Sequence, residues 1–168
     1  VIADAFHRRL PGIDWERALT LMSKDLGREY GEAFFQDGVV HPLTHTLDLA
    51  YGCFCTAAIA AEIGDTTVAA QMLEYASQWK NAFDKTGLLR DSTYYEGSKY
   101  NYSFRLLHDM ASRISLAGGD MAFVDLLDTF FGYAADSVPA PGVSPCRAEM
   151  AEGELPVSYT HLRAHETF

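Results

Sequence analysis

The chain has 168 residues, of which 48% are hydrophobic and 21% charged, proportions that fit one folded domain with a sizeable core and exclude disorder. Its formal net charge of −10, with no cluster or stripe of Lys and Arg, excludes a sequence-independent grip on nucleic acid and on anionic membrane surfaces. The best apolar run, "CFCTAAIAAEI", is too short to span a membrane and is interrupted by Glu62.

The chain opens on "VIADAFHRRL", with neither an initiator Met nor a signal peptide, and is expected to begin inside a domain. Ile2 to Leu10 predict a short helix that Pro11-Gly12 stops. Asp14 is placed to cap a second helix from Trp15 to about Leu26, whose Ala18, Leu19, Met22 and Leu26 share one face. Gly27 to about Leu43 shows no period and reads as a long loop, a kind of segment that often carries function. Thr44 or Thr46 is expected to open a third helix running to Ile63 and ended by Gly64. Asp65 caps a fourth, to about Phe83, and "FDKTG" makes a turn. A fifth helix starts near Ser98 to Ser103 and ends at "AGG", Ala117 to Gly119; Asp120 caps a sixth, Met121 to Phe131, closed by Gly132. The expected fold class is all-α, built of helical hairpins with short links.

Cys53 and Cys55 point in different directions on an apolar helix, which suits neither a mutual disulfide nor a metal knuckle; with Cys146 they read as small hydrophobes. After Gly132 a proline-containing segment without periodicity reads as loop. The end, "VSYTHLRAHETF", resembles peptides at the ends of translated metagenomic fragments, where sequencing-adapter DNA is read as protein. Residues 154–168 are therefore set aside as a non-native tail, and His161 with His165 is not taken as a metal pair.

Chemistry concentrates in "TYYEGSKYNYSFRLLHDM", Thr93 to Met110. One acid, Glu96, stands among Tyr94, Tyr95, Tyr100, Tyr102 and Phe104, next to Gly97. Rings around a carboxyl lower the local dielectric and raise its pKa toward a proton donor's range. Their faces and hydroxyls also suit a sugar ring, and Asn101 offers an amide. Two bland readings stand beside this one: Glu96 in a helix-capping arrangement with the rings as core, and His108 and Asp109 as mid-helix residues, Asp109 pairing with Arg105 or Arg113. Helices three and four also have the residue placement of a tetratricopeptide-type hairpin, which would make the chain a non-catalytic binding module.

The same stretch, "YYEGSKYNYSFRLLHD", resembles the "YTEGxxWQYxWxxPHD" signature of glycoside hydrolase family 92, the calcium-dependent exo-α-mannosidases. "TLDLAY", Thr46 to Tyr51, is similar to that family's "TLEYAYDDW" helix, and "YASQWKNAFDKTGLLR" to its "RSxNYKNLFDPETGFMR". "LAGGDMAFVDLLDTFFG" is similar to its "MGGxxxFxxxLDxLF", and "VIADAF" and "GIDWERALTLM" fit the segment before, so the resemblance runs in order from Val1 to about Gly153.

The resemblance implies that residues 1–153 are a central piece of an (α/α)6 barrel, incomplete at both ends, from a parent enzyme that removes terminal mannose, with α-1,2 linkages expected, by inversion. Another (α/α)6 glycosidase of different sugar specificity is the neighbouring reading. Glu96 takes the place of the family's general acid. Tyr95, Gly97, Tyr100, Asn101, Tyr102 and Phe104 take substrate-binding places, and His108 and Asp109 support the helix behind them. Calcium is implied as cofactor with most ligands outside this stretch and no metal ligand within it, a mannose-containing glycan as partner, and a secreted or periplasmic parent. The chain departs from the family where Trp-Gln has become Tyr100-Asn101, the later Trp Phe104, and "YDDW" the "YGCF" of Tyr51 to Phe54; Tyr95 and Ser98 replace a Thr and an Asn. The family's general base and calcium shell lie in "NNEP" and "GNDD" motifs, which do not occur here. The polypeptide by itself is accordingly expected to be inactive and to expose apolar faces.

Overall fold

A computed structural model of the chain describes residues 1–90, 99–106 and 108–131. The chain divides into two compact units, Val1–Ala82 and Phe83–Phe168. Among the described residues the structure is all-helical apart from a single antiparallel bridge between Phe83 and Leu89.

The first unit contains α1 (Ile2–His7), α2 (Trp15–Leu26), α3 (Gly31–Asp37), α4 (Leu43–Ile63) and α5 (Thr66–Ala76), followed by a 3₁₀ segment, Ser77–Ala82. Two of its helices start as the sequence predicts. Asp14 accepts a hydrogen bond from the Arg17 N–H at 3.0 Å, and Asp65 one from the Val68 N–H at 3.0 Å, each satisfying a donor that a first helical turn leaves orphaned. Gly64 ends α4 at φ 91°, a backbone state that glycine adopts without a Cβ penalty. The two-residue link Gly64-Asp65 folds α5 back onto α4 as a helical hairpin, the unit from which (α/α) barrels are built. Leu19 of α2, Ala60 of α4 and Ala69 of α5 meet in the core, with Ile63 and Val68 packed against them.

Three expectations change here. The supposed loop from Gly27 to Leu43 contains α3, which is too short to show a period; Phe34 anchors it, fully buried. Neither Thr44 nor Thr46 caps α4. Pro42 precedes the helix, and the buried Thr46 hydroxyl instead accepts the Val40 N–H and donates to the Val40 carbonyl, both at 2.9 Å. The helix after Asp65 gives way to a 3₁₀ turn at Ser77 rather than continuing to Phe83.

The apolar run too short to span a membrane belongs to a longer helix. The 21 residues of α4 are long and apolar enough by length and composition. Its buried residues, among them Leu43, Leu47, Ala50, Cys53, Ala57 and Ala60, recur at helical spacing, and α4 packs on α2 and α5. Its apolar character builds the core of this unit.

In the second unit, "FDKTG" makes the predicted turn: Asp84 N–H donates to the Leu88 carbonyl at 2.9 Å, and the Asp84 carboxylate accepts the Thr86 N–H at 2.8 Å. The helices that follow are α6 (Lys99–Ser103), α7 (Met110–Leu116) and α8 (Asp120–Phe131). Asp120 is the first residue of α8 rather than its cap; Gly119 holds that place, its carbonyl accepting the Phe123 N–H at 2.9 Å.

Candidate active site

Tyr95, Glu96 and Gly97 lie outside the described residues, as does Cys146. The rest of the motif's site residues are described, and their rings gather on one helix. Tyr100, Asn101 and Tyr102 sit on α6 and Phe104 directly follows it, all four half-buried. The Tyr100 ring stacks on Phe130 of α8 with centroids 6.2 Å apart and planes 14° apart. Phe104 packs on Phe130 at 5.3 Å and edge-on to Phe123 at 6.0 Å. Phe123 and Phe130 are two turns apart on α8 and share a face. Tyr102 lies under the Arg105 guanidinium, 6.0 Å from its ring centroid.

Beneath these rings is a residue that the sequence pattern marks only as an ion-pair partner. Arg113 of α7 is 1% exposed. Its Nε and one terminal nitrogen donate to the Ser103 carbonyl at 3.3 and 3.2 Å, and the same nitrogen donates to the Gly87 carbonyl. The guanidinium carbon lies 4.6 Å from the Phe83 ring centroid, 5.3 Å from that of Phe123 and 5.9 Å from that of Phe104. Ring faces are favourable partners for a desolvated cation. Burial pushes the guanidinium down to about 10, which leaves it charged at neutral pH. The side chain of Ser103, also buried, accepts the Leu89 N–H at 2.9 Å. Turn, α6 and α7 are thus joined at one polar knot.

That knot explains why the predicted single helix is two. The Ser103 carbonyl, which a continuing helix would offer to the N–H four residues on, is taken by Arg113. The chain leaves α6 with the Arg105 N–H on the Tyr102 carbonyl at 3.1 Å. His108, half-buried, therefore falls in the link between helices, not mid-helix. Asp109 is the cap of α7, accepting the Ser112 N–H at 3.2 Å. The i,i+4 spacing of Asp109 and Arg113 suggests an ion pair, but Arg113 is committed to backbone carbonyls and rings instead. Nothing in the sequence pattern marks an arginine on a helix as buried, because its usual place is the surface.

Cavities of the first unit open along α4. One, of about 620 Å³, is lined by Leu21, Met22 and Leu26 of α2 and by Asp48, Tyr51 and Cys55 of α4. A second, of about 400 Å³, shares Asp25, Arg28 and Asp48 with it and includes Tyr30 stacked on His45 at 4.5 Å. The neighbouring Cys55 raises the Tyr51 hydroxyl's pKa through its charge, and burial adds to the rise. Cys53 is fully buried and its thiol is pushed up to about 12 by desolvation, while Cys55 is half-buried at the cavity wall. "TLDLAY" thus contributes Asp48 and Tyr51 to a cavity, which the spacing alone does not reveal.

Fold and site define an all-α protein of helical hairpins, as in part of an (α/α) barrel, with an aromatic face on which the motif residues stand. The family model of the glycosyl hydrolase family 92 catalytic domain matches residues 1–157, and the chain belongs to that family. No curated protein matches it. Membership makes the chain part of a glycosidase, with a glycan as substrate. The family is generally calcium-dependent. Among the described residues no group of three or more His, Cys, Asp or Glu side chains is placed to hold a metal ion.

Proposed function

We propose that the chain supplies the proton-donating part of an inverting exo-α-mannosidase acting on terminal α-linked mannose, α-1,2 linkages first among them. The observation that carries this is the Glu96-Gly97 step of "YYEGSKYNYSFRLLHD", which leads into half-buried Tyr100 and Phe104 standing on Phe130. Glu96 is the general acid, protonating the departing glycosidic oxygen, a role for which a carboxyl flanked in sequence by aromatic residues is suited, because desolvation favours the protonated form. Tyr95, Gly97, Tyr100, Asn101, Tyr102 and Phe104 shape the pocket, and Asp109 supports it by starting α7.

An inverting glycosidase needs a second carboxylate roughly 6.5–9.5 Å from the first, with a water between them. The family's "NNEP" and "GNDD" motifs, which would bring that base and the calcium ligands, are absent from the 168 residues. On this reading residues 1–153 belong to the catalytic barrel, 154–168 are foreign to it, the parent is secreted or periplasmic, and the polypeptide alone turns over no mannoside.

The test joins the chain to a family 92 region bearing both motifs and compares it with its Glu96→Gln variant. General acid catalysis is worth roughly 10²–10⁴-fold. The variant should lose that much on alkyl mannosides and much less on mannosides with an activated leaving group, which needs no proton. Undiminished turnover of alkyl mannosides removes Glu96 from the role.

A further inference from the structure

We propose that Arg113 is a positioning residue for the sugar-facing segment: its guanidinium ties the end of α6 to the turn at Gly87, and so sets where Tyr100 and Phe104 stand on α8. The inference rests on reading that segment as part of a glycosidase pocket.

The geometry connects Arg113 to the segment in two ways. Its fork takes the carbonyl of Ser103, the last residue of α6, and the carbonyl of Gly87 in the turn. Its guanidinium carbon lies 5.9 Å from the ring centroid of Phe104, a ring of the segment, and 5.3 Å from that of Phe123, which that ring also touches. A shift of the guanidinium therefore moves both the backbone that carries Tyr100 and the surface that receives Phe104.

Energetics argue that the arginine is not there for stability alone. Hydrogen bonds from a charged donor are stabilising, but taking an ion out of water carries a penalty of comparable size. No carboxylate within ion-pair distance offsets that cost among the described residues. The remaining terminal nitrogen, Nη1, is buried with no hydrogen-bond partner among them. Desolvation shows in the lowered guanidinium pKa. A methionine would fill the space between three phenyl rings without burying a charge. What only arginine supplies is direction, two carbonyls on separate segments held by one rigid fork.

The test uses the 168-residue chain with Arg113→Lys, which keeps the charge and loses the fork, and Arg113→Met, which keeps the bulk and loses both. Hydrogen exchange is followed at Lys99–Ser103 and, as reference, at α4 and α5, alongside thermal melting. Exchange at Lys99–Ser103 should rise at least about 10-fold in either folded variant while the reference helices keep their wild-type protection. Unchanged exchange at α6, or a rise shared equally by α4 and α5, overturns the proposal. Titration with methyl α-mannoside of the chain joined to the family 92 region bearing both motifs, read by tyrosine fluorescence, separates the two readings. Binding by wild type that weakens about 10-fold in Arg113→Lys supports the inference, and equal binding by a folded variant overturns it. A wild-type fusion that binds no mannoside sinks the glycosidase reading of the segment, while the exchange pattern in the 168-residue chain still decides whether Arg113 positions it.

Discussion

Thr46 gives a quantitative test of how the "TLDLAY" helix is anchored. Thr46→Val is nearly isosteric, so it leaves packing intact and removes one hydroxyl that serves both polar groups of Val40 at 2.9 Å. Thr46 is fully buried and Val40 is 6% exposed, so water cannot replace the lost partner. Each orphaned buried group costs about 1–3 kcal/mol, and the added methyl returns about 0.8 kcal/mol. The net loss is about 1–5 kcal/mol, which for a chain of this size lowers the melting temperature by about 2–20 °C. Circular dichroism at 222 nm through a thermal ramp reads it, with Thr20→Val as control. The Thr20 hydroxyl donates to the Glu16 carbonyl at an exposed site, so its removal orphans nothing and should fall within about 0.5 kcal/mol of wild type. A Thr46→Val protein that melts with the control refutes the anchoring argument.

Gly31→Ala should be more damaging still: a Cβ there would lie 1.8 Å from the Leu26 carbonyl oxygen, a backbone clash that no rotamer relieves, so we expect a loss of about 3 kcal/mol or more in urea unfolding. Asp109→Ala removes the cap of α7 and should cost about 1 kcal/mol, whereas Asp109→Ser, which can still accept the Ser112 N–H, should stay within a few tenths; the same melts check both. In the native protein a maleimide should label Cys55 and leave Cys53 untouched, as mass mapping would reveal. Because the Cys53 thiol is raised from 9.0 to about 12 in the fold, the unfolded chain releases its proton first. Stability should therefore fall as pH rises from about 9 to about 12, and Cys53→Ala should flatten that fall.

Local chemistry makes several elements legible in the chain of residues itself. Asp14 and Asp65 each precede a periodic apolar run, and a capping carboxylate acts within three residues, so both helix starts fall where predicted. Gly64 marks the end of α4 for an equally local reason. The departures share a cause of longer range. The α3 helix owes its existence to the burial of Phe34, and seven residues cannot display a period. The break after Ser103 depends on a guanidinium ten residues ahead capturing its carbonyl. That break moves His108 and Asp109 out of a helix interior, and Thr46 escapes the capping pattern because its partner, Val40, lies in the segment before the helix.

The order of amino acids alone determined the all-α class, the helical hairpin and the family, because each of these is written in short-range spacing and in motifs that keep their sequence order. It also marked Tyr100 and Phe104 as residues of interest. Only the tertiary structure decided that these two rings share Phe130, that α4 is a core helix, and that Arg113 lies buried under the cluster. Those outcomes turn on which distant segments exclude water together, and no local pattern along the chain encodes that.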